Sequence, residues 1–224
     1  MLDLTLIIPA KSESESLPVL LKEIQYLKYK KIIMLEENDY QTINSIKSFQ
    51  DIKIHYQKNK GYGSAIIEGV KITDTKFFCI INADGSMNPV YLDKMINKLE
   101  TYNLDFLFAS RYEKPGGGSD DDNLITFFGN YIFTKIGNIF FSLKITDILF
   151  TYVMGKTLCF NNLKITSKDF TLCVEFPIKA KRYGYKLGTT PSYERRRIGG
   201  KKKVNALKDG LLILIEMVKM FFIK

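Results

Sequence analysis

The chain has one histidine, three cysteines and no apolar run long enough to cross a bilayer. Each scarcity removes a class of function. His55 ends a short strand-like run with no obvious partner, so a structural role is favoured over histidine catalysis or metal binding. Cys79, Cys159 and Cys173 fit neither a zinc site nor a CxxC redox pair. Cys79 lies in an apolar strand, and a buried free thiol suits a reducing cytoplasm. A spanning helix needs about twenty apolar residues. The nearest stretch, LLILIEMVKMFFI, is interrupted by Glu216 and Lys219. The opening MLDLTLIIPA lacks the basic and long apolar regions of a signal peptide. Acidic charge is also short, with 24 Asp+Glu against 33 Lys+Arg and a formal charge of +9. That excess points to an anionic partner: nucleic acid, a lipid phosphate surface or a phosphorylated substrate. It is concentrated, because ten basic residues and one acid, Glu194, stand between Lys179 and Lys203.

What is present reads as one large globular domain. The 224 residues are 46% apolar and 25% charged, enough for a substantial core. Apolar runs at 4–8, 31–35, 52–56, 77–81 and 105–109 predict buried strands. Helical spacing predicts helices over 14–28, 40–49, 62–72 and 90–102. This alternation implies an α/β architecture, a mostly parallel sheet covered on both faces. After Arg111 the character changes. Residues 114–123, KPGGGSDDDN, predict a mobile loop, either a solvated linker or a lid over a ligand. Residues 125–143 hold five phenylalanines and suit a buried or lipid-facing helix. A helix over 170–183, an edge strand over 186–193, a basic loop over 195–203 and a very apolar helix over 204–223 complete the chain.

Chemistry concentrates at the strand ends, where open α/β sheets bind ligands. The run FFCIINADGSMNP, residues 77–89, ends a buried strand in Asn82-Ala83-Asp84-Gly85. An aspartate there can hold a divalent cation against a diphosphate. Pro9-Ala10-Lys11-Ser12-Glu13 ends the first strand, and Glu36-Glu37-Asn38-Asp39 the second. Clustered acids at neighbouring strand ends are costly unless they bind something, and carboxylates accept hydrogen bonds from a ribose or a base. Lys60-Gly61-Tyr62-Gly63 opens a helix whose N-terminus favours an anion. Neither a GxGxxG dinucleotide fingerprint nor a P-loop is present.

Six segments in order carry a resemblance to a known family. They are TLIIPAKSE (5–13), NKGYGSAIIEG (59–69), INADGSMNP (81–89), SRY (110–112), TDILFTY (146–152) and ERRRIGGKKK (194–203). The chain resembles family-2 glycosyltransferases of the GT-A fold, in the subgroup of dolichol-phosphate mannose synthase and bacterial polyprenyl-phosphate sugar transferases. The resemblance implies a nucleotide-sugar site at Pro9, Ala10, Lys11, Glu13, Glu36, Lys60, Gly61, Gly63, Asn82 and Ala83. It implies Mg²⁺ or Mn²⁺ on Asp84, with Asn82 and Ser86 as further ligands. Arg111 falls near the phosphates, and Arg197 and Lys203 fall where the family binds an acceptor phosphate or the donor diphosphate. Asn82 replaces the first Asp of the family's DxD, Ser86 stands where a Gln is common, Lys11 replaces an aromatic and Lys202 a Ser.

These parts imply an inverting glycosyltransferase that moves a sugar from a nucleotide-sugar to a polyprenyl or dolichyl phosphate. A phosphate acceptor needs positioning rather than a base; Asp147 becomes a candidate base for a hydroxyl acceptor, or the cap of the helix that follows. The expected organisation is a GT-A domain over 1–203 and an amphipathic helix over 204–224 lying in the membrane interface. That places the protein peripherally at the cytoplasmic face of a membrane, with no nucleic-acid partner and with room for a membrane-anchor partner or a homo-oligomer. The same fold acting on a saccharide or lipid hydroxyl, in cell-envelope polysaccharide assembly, is the alternative. A nucleic-acid-binding module is the rival of another class, and it leaves the acidic strand ends without a role.

Overall fold

The fold follows from period-two burial in short strands. In β1 (Leu4–Pro9), Leu4, Leu6 and Ile8 enter one buried cluster and Ile7 enters a second, on the opposite face of the sheet. The computed structural model describes residues 3–199 and 205–223. The central sheet adds β2 (Lys30–Leu35), β3 (Lys53–Tyr56), β4 (Phe77–Ile80), β5 (Phe106–Ser110), β7 (Val153–Lys156) and β8 (Leu187–Pro191). Their order is β3-β2-β1-β4-β7-β5-β8. Only β7 runs against its neighbours, pairing antiparallel with both β4 and β5. Strands β6 (Gly118–Ser119) and β9 (Tyr193–Glu194) form a separate parallel pair.

Helices α1 (Ser16–Ile24), α2 (Tyr40–Ser45) and α4 (Leu92–Thr101) cover one face. Helices α3 (Tyr62–Lys71), α6 (Thr157–Asn162) and α7 (Leu172–Arg182) cover the other. That second core is aromatic: the Phe106 ring lies edge-on to Phe176 at 4.8 Å, and Phe160 edge-on to Phe176 at 5.0 Å. The antiparallel strand β7 was not among the expected strands, because VMGK carries too little apolar pattern. It forms because Gly155 lies opposite Phe106 and leaves room for its ring; a Cβ there would sit 2.3 Å from Phe106 Cδ1.

Two helices turn unusual faces outward. In α5 (Leu124–Phe141) the buried residues are Asn130, Thr134 and Gly137, one stripe at helical spacing. Leu124, Ile125, Phe128, Tyr131, Ile132, Ile139 and Phe140 are exposed. The apolar segment therefore has its polar and small side inside. In α8 (Ala206–Phe222) the buried stripe is Ile213, Met217 and Met220, set against the α7 side of the core. Leu207, Leu211, Leu214, Ile215, Val218 and Phe222 are exposed. The Phe221 ring meets Phe140 of α5 at 5.8 Å, so the two helices share one apolar exterior. Among the described residues no helix is long and apolar enough to cross a membrane.

Replacing Gly155 tests the β7 insertion. Gly155→Val is expected to lower the unfolding free energy by about 1–3 kcal/mol through overpacking against Phe106, read as a lower urea midpoint.

Candidate active site

The ends of β1, β2 and β4 open on a cavity of about 410 Å³. At the β1 end, Pro9, Ala10, Lys11 and Glu13 line it. Lys11 Nζ donates to Glu36 Oε1 at 2.7 Å, joining the ends of β1 and β2. The buried Glu13 accepts from Ser16 Oγ at 2.5 Å. Asp39, at the end of the β2 loop, accepts from the Ser12 backbone N–H at 2.7 Å.

Asp84 lies in the turn after β4. Its Oδ1 accepts the Ser86 backbone N–H at 3.0 Å, and its Oδ2 faces Arg197 Nη2 at 3.3 Å. The same guanidinium reaches Asp121 Oδ2 at 3.6 Å. Gly85 has φ +76° and carries no side chain because Ile198 lies over it. Segment 195–198 is stitched to this turn through its backbone: Arg195 N donates to Ser86 O and Ile198 N to Asp84 O, both at 2.9 Å. The Arg195 guanidinium adds bonds to Gly85 O and to both oxygens of Glu23. Asn82 Oδ1 accepts from Tyr62 Oη at 2.8 Å, and Ala83 and Ser86 line the wall beside it. Burial pushes the Tyr62 phenol well above its ordinary range, so it stays a neutral donor.

Arg111 forms the far wall. Its Nε and Nη2 donate to Asp147 Oδ2 and Oδ1 at 2.8 and 2.9 Å, and its Nη1 donates to Glu194 Oε2 at 3.2 Å. Its guanidinium also covers the Phe150 ring at 4.8 Å. Burial works against that charge, but the Asp147 and Glu194 carboxylates outweigh it and hold Arg111 above its ordinary value. Glu194 is held above the ordinary carboxylate range by burial, partly offset by Arg111 and by Ser119, whose Oγ donates to it at 2.5 Å.

Several expected roles change. Asp147 cannot serve as a base: it is fully enclosed, does not line the cavity, and both oxygens accept bonds from Arg111, with Asn130 Nδ2 adding one at 2.7 Å. It positions Arg111. Nor does Asp147 cap a helix, since none follows it closely. The glycines at the start of α3 serve contact between protein segments rather than an anion cradle. A Cβ on Gly61 or Gly63 would lie 2.2 Å from a carbonyl oxygen of Lys168 or Ser167, and Lys168 O already accepts the Ser64 N–H. Gly61 still lines the cavity, whereas Gly63 and the exposed Lys60 do not. Residues 114–123 form a tied strap rather than a solvated linker or a loose loop. Lys114 Nζ donates to Gly117 O at 2.7 Å, Tyr193 Oη to Asp120 at 2.6 Å, and Tyr112 to Asp122, while β6 pairs with β9. Lys203 lies outside the described residues. Sequence reasoning missed Gln57, Asp121, Asp122, Asn130 and Glu194, all of which line the cavity. Glu194 carried a signal as the lone acid in a basic stretch, and Asp121 and Asp122 lay in the segment read as either a linker or a lid over a ligand.

The chemistry of the lining fits a divalent cation that arrives with a diphosphate. Carboxylates outnumber cationic side chains in the cavity, so an anionic ligand needs added positive charge. Among the described residues no three His, Cys, Asp or Glu side chains form a ready metal cage. A single carboxylate, with phosphate and water completing the shell, is how Mg²⁺ is commonly held.

The model of the family described as Glycosyl transferase family 2 matches residues 5–163. The chain belongs to that family. Glycosyltransferase Rv0539 of Mycobacterium tuberculosis (strain ATCC 25618 / H37Rv) is 29% identical over 96 residues, 43% of this chain and 43% of the relative. Glycosyltransferase Mb0553 of Mycobacterium bovis matches to the same extent. The matched part is thus less than half the length of these relatives. Among solved structures, glucosyl-3-phosphoglycerate synthase from M. tuberculosis with Mn²⁺, UDP and phosphoglyceric acid has a TM-score of 0.72 at 12% identity, over 99% of this chain and 79% of that one. Its complex with Mn²⁺, UDP and glucosyl-3-phosphoglycerate gives 0.73 at 12% identity, over 99% and 80%. At that identity the likeness establishes the fold, the GT-A fold of glycosyltransferases.

Two variants probe the Arg111 wall of this family 2 site. Asp147→Asn, which removes the fully buried carboxylate charge that faces Arg111 and leaves only Glu194, is expected to cost about 3 kcal/mol of unfolding free energy in urea denaturation. Because the fold raises the Glu194 pKa, this carboxyl holds its proton more strongly in the folded state than in the unfolded one. Its contribution is complete below the ordinary carboxylate range and is lost as pH rises through the raised value. The stability of Glu194→Gln relative to the parent should therefore rise with pH over that window.

Proposed function

We propose that this chain is an inverting, metal-dependent glycosyltransferase that moves a sugar from a nucleotide-sugar to a polyprenyl-type lipid phosphate. The observation that carries the reading is Asp84, held at the end of β4 in an acid-rich cavity with Arg111 and Arg197 on its walls. Asp84, flanked by Asn82 and Ser86, would hold Mg²⁺ or Mn²⁺, which when bound offsets charge on the departing diphosphate. The Mn²⁺ and UDP of the similar glucosyl-3-phosphoglycerate synthase complexes support this assignment.

The remaining steps belong to the chain's own residues. Pro9, Ala10, Glu13 and Glu36 border the nucleoside end of the cavity. Arg111, fixed by Asp147, contributes a preorganised positive charge that requires no rearrangement during reaction. Arg197 sits between Asp84 and Asp121 until a phosphate offers it a stronger partner. An acceptor phosphate is already anionic at neutral pH, so the site needs no general base and must only align the attack opposite the leaving group.

The phosphorylated acceptor is also supported by the phosphoglyceric acid in the similar complex. The lipid is supported by the exposed apolar sides of α5 and α8. Thr126 and Asn130 of α5 and Asp209 of α8 line the cavity, so those helices join the apolar exterior to the reaction site. In this reading the exterior rests on the cytoplasmic face of a membrane.

A labelled nucleotide-sugar, Mn²⁺ and polyprenyl phosphate should yield a solvent-extractable product that mild acid cleaves. Label entering 3-phosphoglycerate but never the lipid would overturn the lipid acceptor and leave sugar transfer standing. Asp84→Ala is expected to lose about 100-fold or more in rate while keeping the parent's thermal unfolding. The protein should float with anionic vesicles, and Ile132→Asp with Leu214→Asp should abolish that flotation.

A further inference from the structure

We infer that Arg197 competes with a divalent cation for Asp84 Oδ2, so that the chain takes up the cation together with a diphosphate and only weakly by itself. The inference rests on the metal-dependent reading above and adds what governs entry of the cation. Asp84 Oδ1 accepts the Ser86 N–H at 3.0 Å, and Oδ2 faces Arg197 Nη2 at 3.3 Å. Among the described residues Arg197 is the one cationic side chain paired with Asp84. A small divalent ion sits closer to a carboxylate oxygen than a guanidinium does, and two cations on one oxygen repel. A cation arriving alone therefore has to break this ion pair. The side chains of Asp84 and Arg197 are 12% and 21% exposed, so water screens the pair less than it would a surface one.

It is the Arg197 side chain that gives way, because the backbone on both sides of it is fixed. Arg195 N donates to Ser86 O and Ile198 N to Asp84 O, both at 2.9 Å. Ile198 lies over Gly85, and the Arg195 guanidinium is held by Gly85 O at 2.8 Å and by both oxygens of Glu23. The Arg197 guanidinium can therefore swing without leaving the cavity wall. Asp121 Oδ2, at 3.6 Å, offers it a second carboxylate. A diphosphate offers more, with several charged oxygens that match the planar fork of a guanidinium. It draws Arg197 off Asp84 and frees Oδ2 for the cation that accompanies it. Cation and diphosphate then strengthen each other's binding by the same factor, as linkage requires. An arginine that served the phosphates alone would leave the affinity for a lone cation untouched.

Titration of the full chain with Mn²⁺ alone, followed by the free-ion electron paramagnetic resonance signal, tests this. Arg197→Met and Arg197→Gln should each bind Mn²⁺ about 10-fold more tightly than the parent. Calorimetric titration with UDP should then show Mn²⁺ enhancing UDP affinity about 10-fold less in these variants than in the parent. Arg196→Met removes an exposed cation of the same segment and should stay within about twofold of the parent in Mn²⁺ affinity. Thermal unfolding near the parent's reports an intact fold in each. Unchanged or weaker Mn²⁺ binding in both Arg197 variants, or equal tightening in Arg196→Met, would overturn the inference and spare the proposed function. Failure of the parent to bind UDP with Mn²⁺ present would overturn the proposed function itself and this inference with it.

Discussion

The buried pair of Arg111 and Asp147 is the constraint on which the rest of the site depends. An ion pair taken out of water is tolerated only when every remaining donor and acceptor is satisfied. Here Asp147 takes three bonds from Arg111, including one from its backbone N–H, and a fourth from Asn130. Arg111 spends its remaining reach on Glu194, and Glu194 on Ser119. One network thus ties the end of β5 to α5, β6 and β9. The same demand explains why α5 turns its polar stripe inward. Asn130 Oδ1 accepts the Leu149 N–H at 3.0 Å and Thr134 Oγ1 the Ile148 N–H at 3.2 Å, so those side chains must face the protein. With that face committed, the phenylalanines and isoleucines of α5 have only the exterior left.

A second linkage closes the cavity from the other side. Backbone bonds join 84–86 to 195–198, and Arg197 spans from Asp84 to Asp121 on the strap. The metal-side carboxylate, the strap and the basic segment are consequently one assembly. A ligand that engages Asp84 or Arg197 acts on all three.

Much of this was legible along the chain. The strands β1 to β5 and the edge strand β8 follow from short apolar runs, and the α/β order follows from their alternation with helices. Pro9, Glu13, Glu36, Asn82 and Asp84 reach the cavity because strand ends in such sheets share one rim. What was not legible depends on distant partners. Gly155 marks a strand only because Phe106 lies across from it. The glycines of residues 61–63 look like an anion loop, but Lys168 O and Ser167 O occupy that space. Nothing near Asp147 in sequence announces that Arg111 and Asn130 will enclose it.

The layered sheet, the strand-end chemistry and the apolar character of the last helix follow from the chain alone, because these are local properties of pattern and composition. Which acids line the cavity, which one is sealed away and which face of α5 meets the outside are set by long-range packing. Those outcomes turn on desolvation and hydrogen-bond satisfaction among residues far apart in sequence, such as Arg111, Asp147 and Glu194.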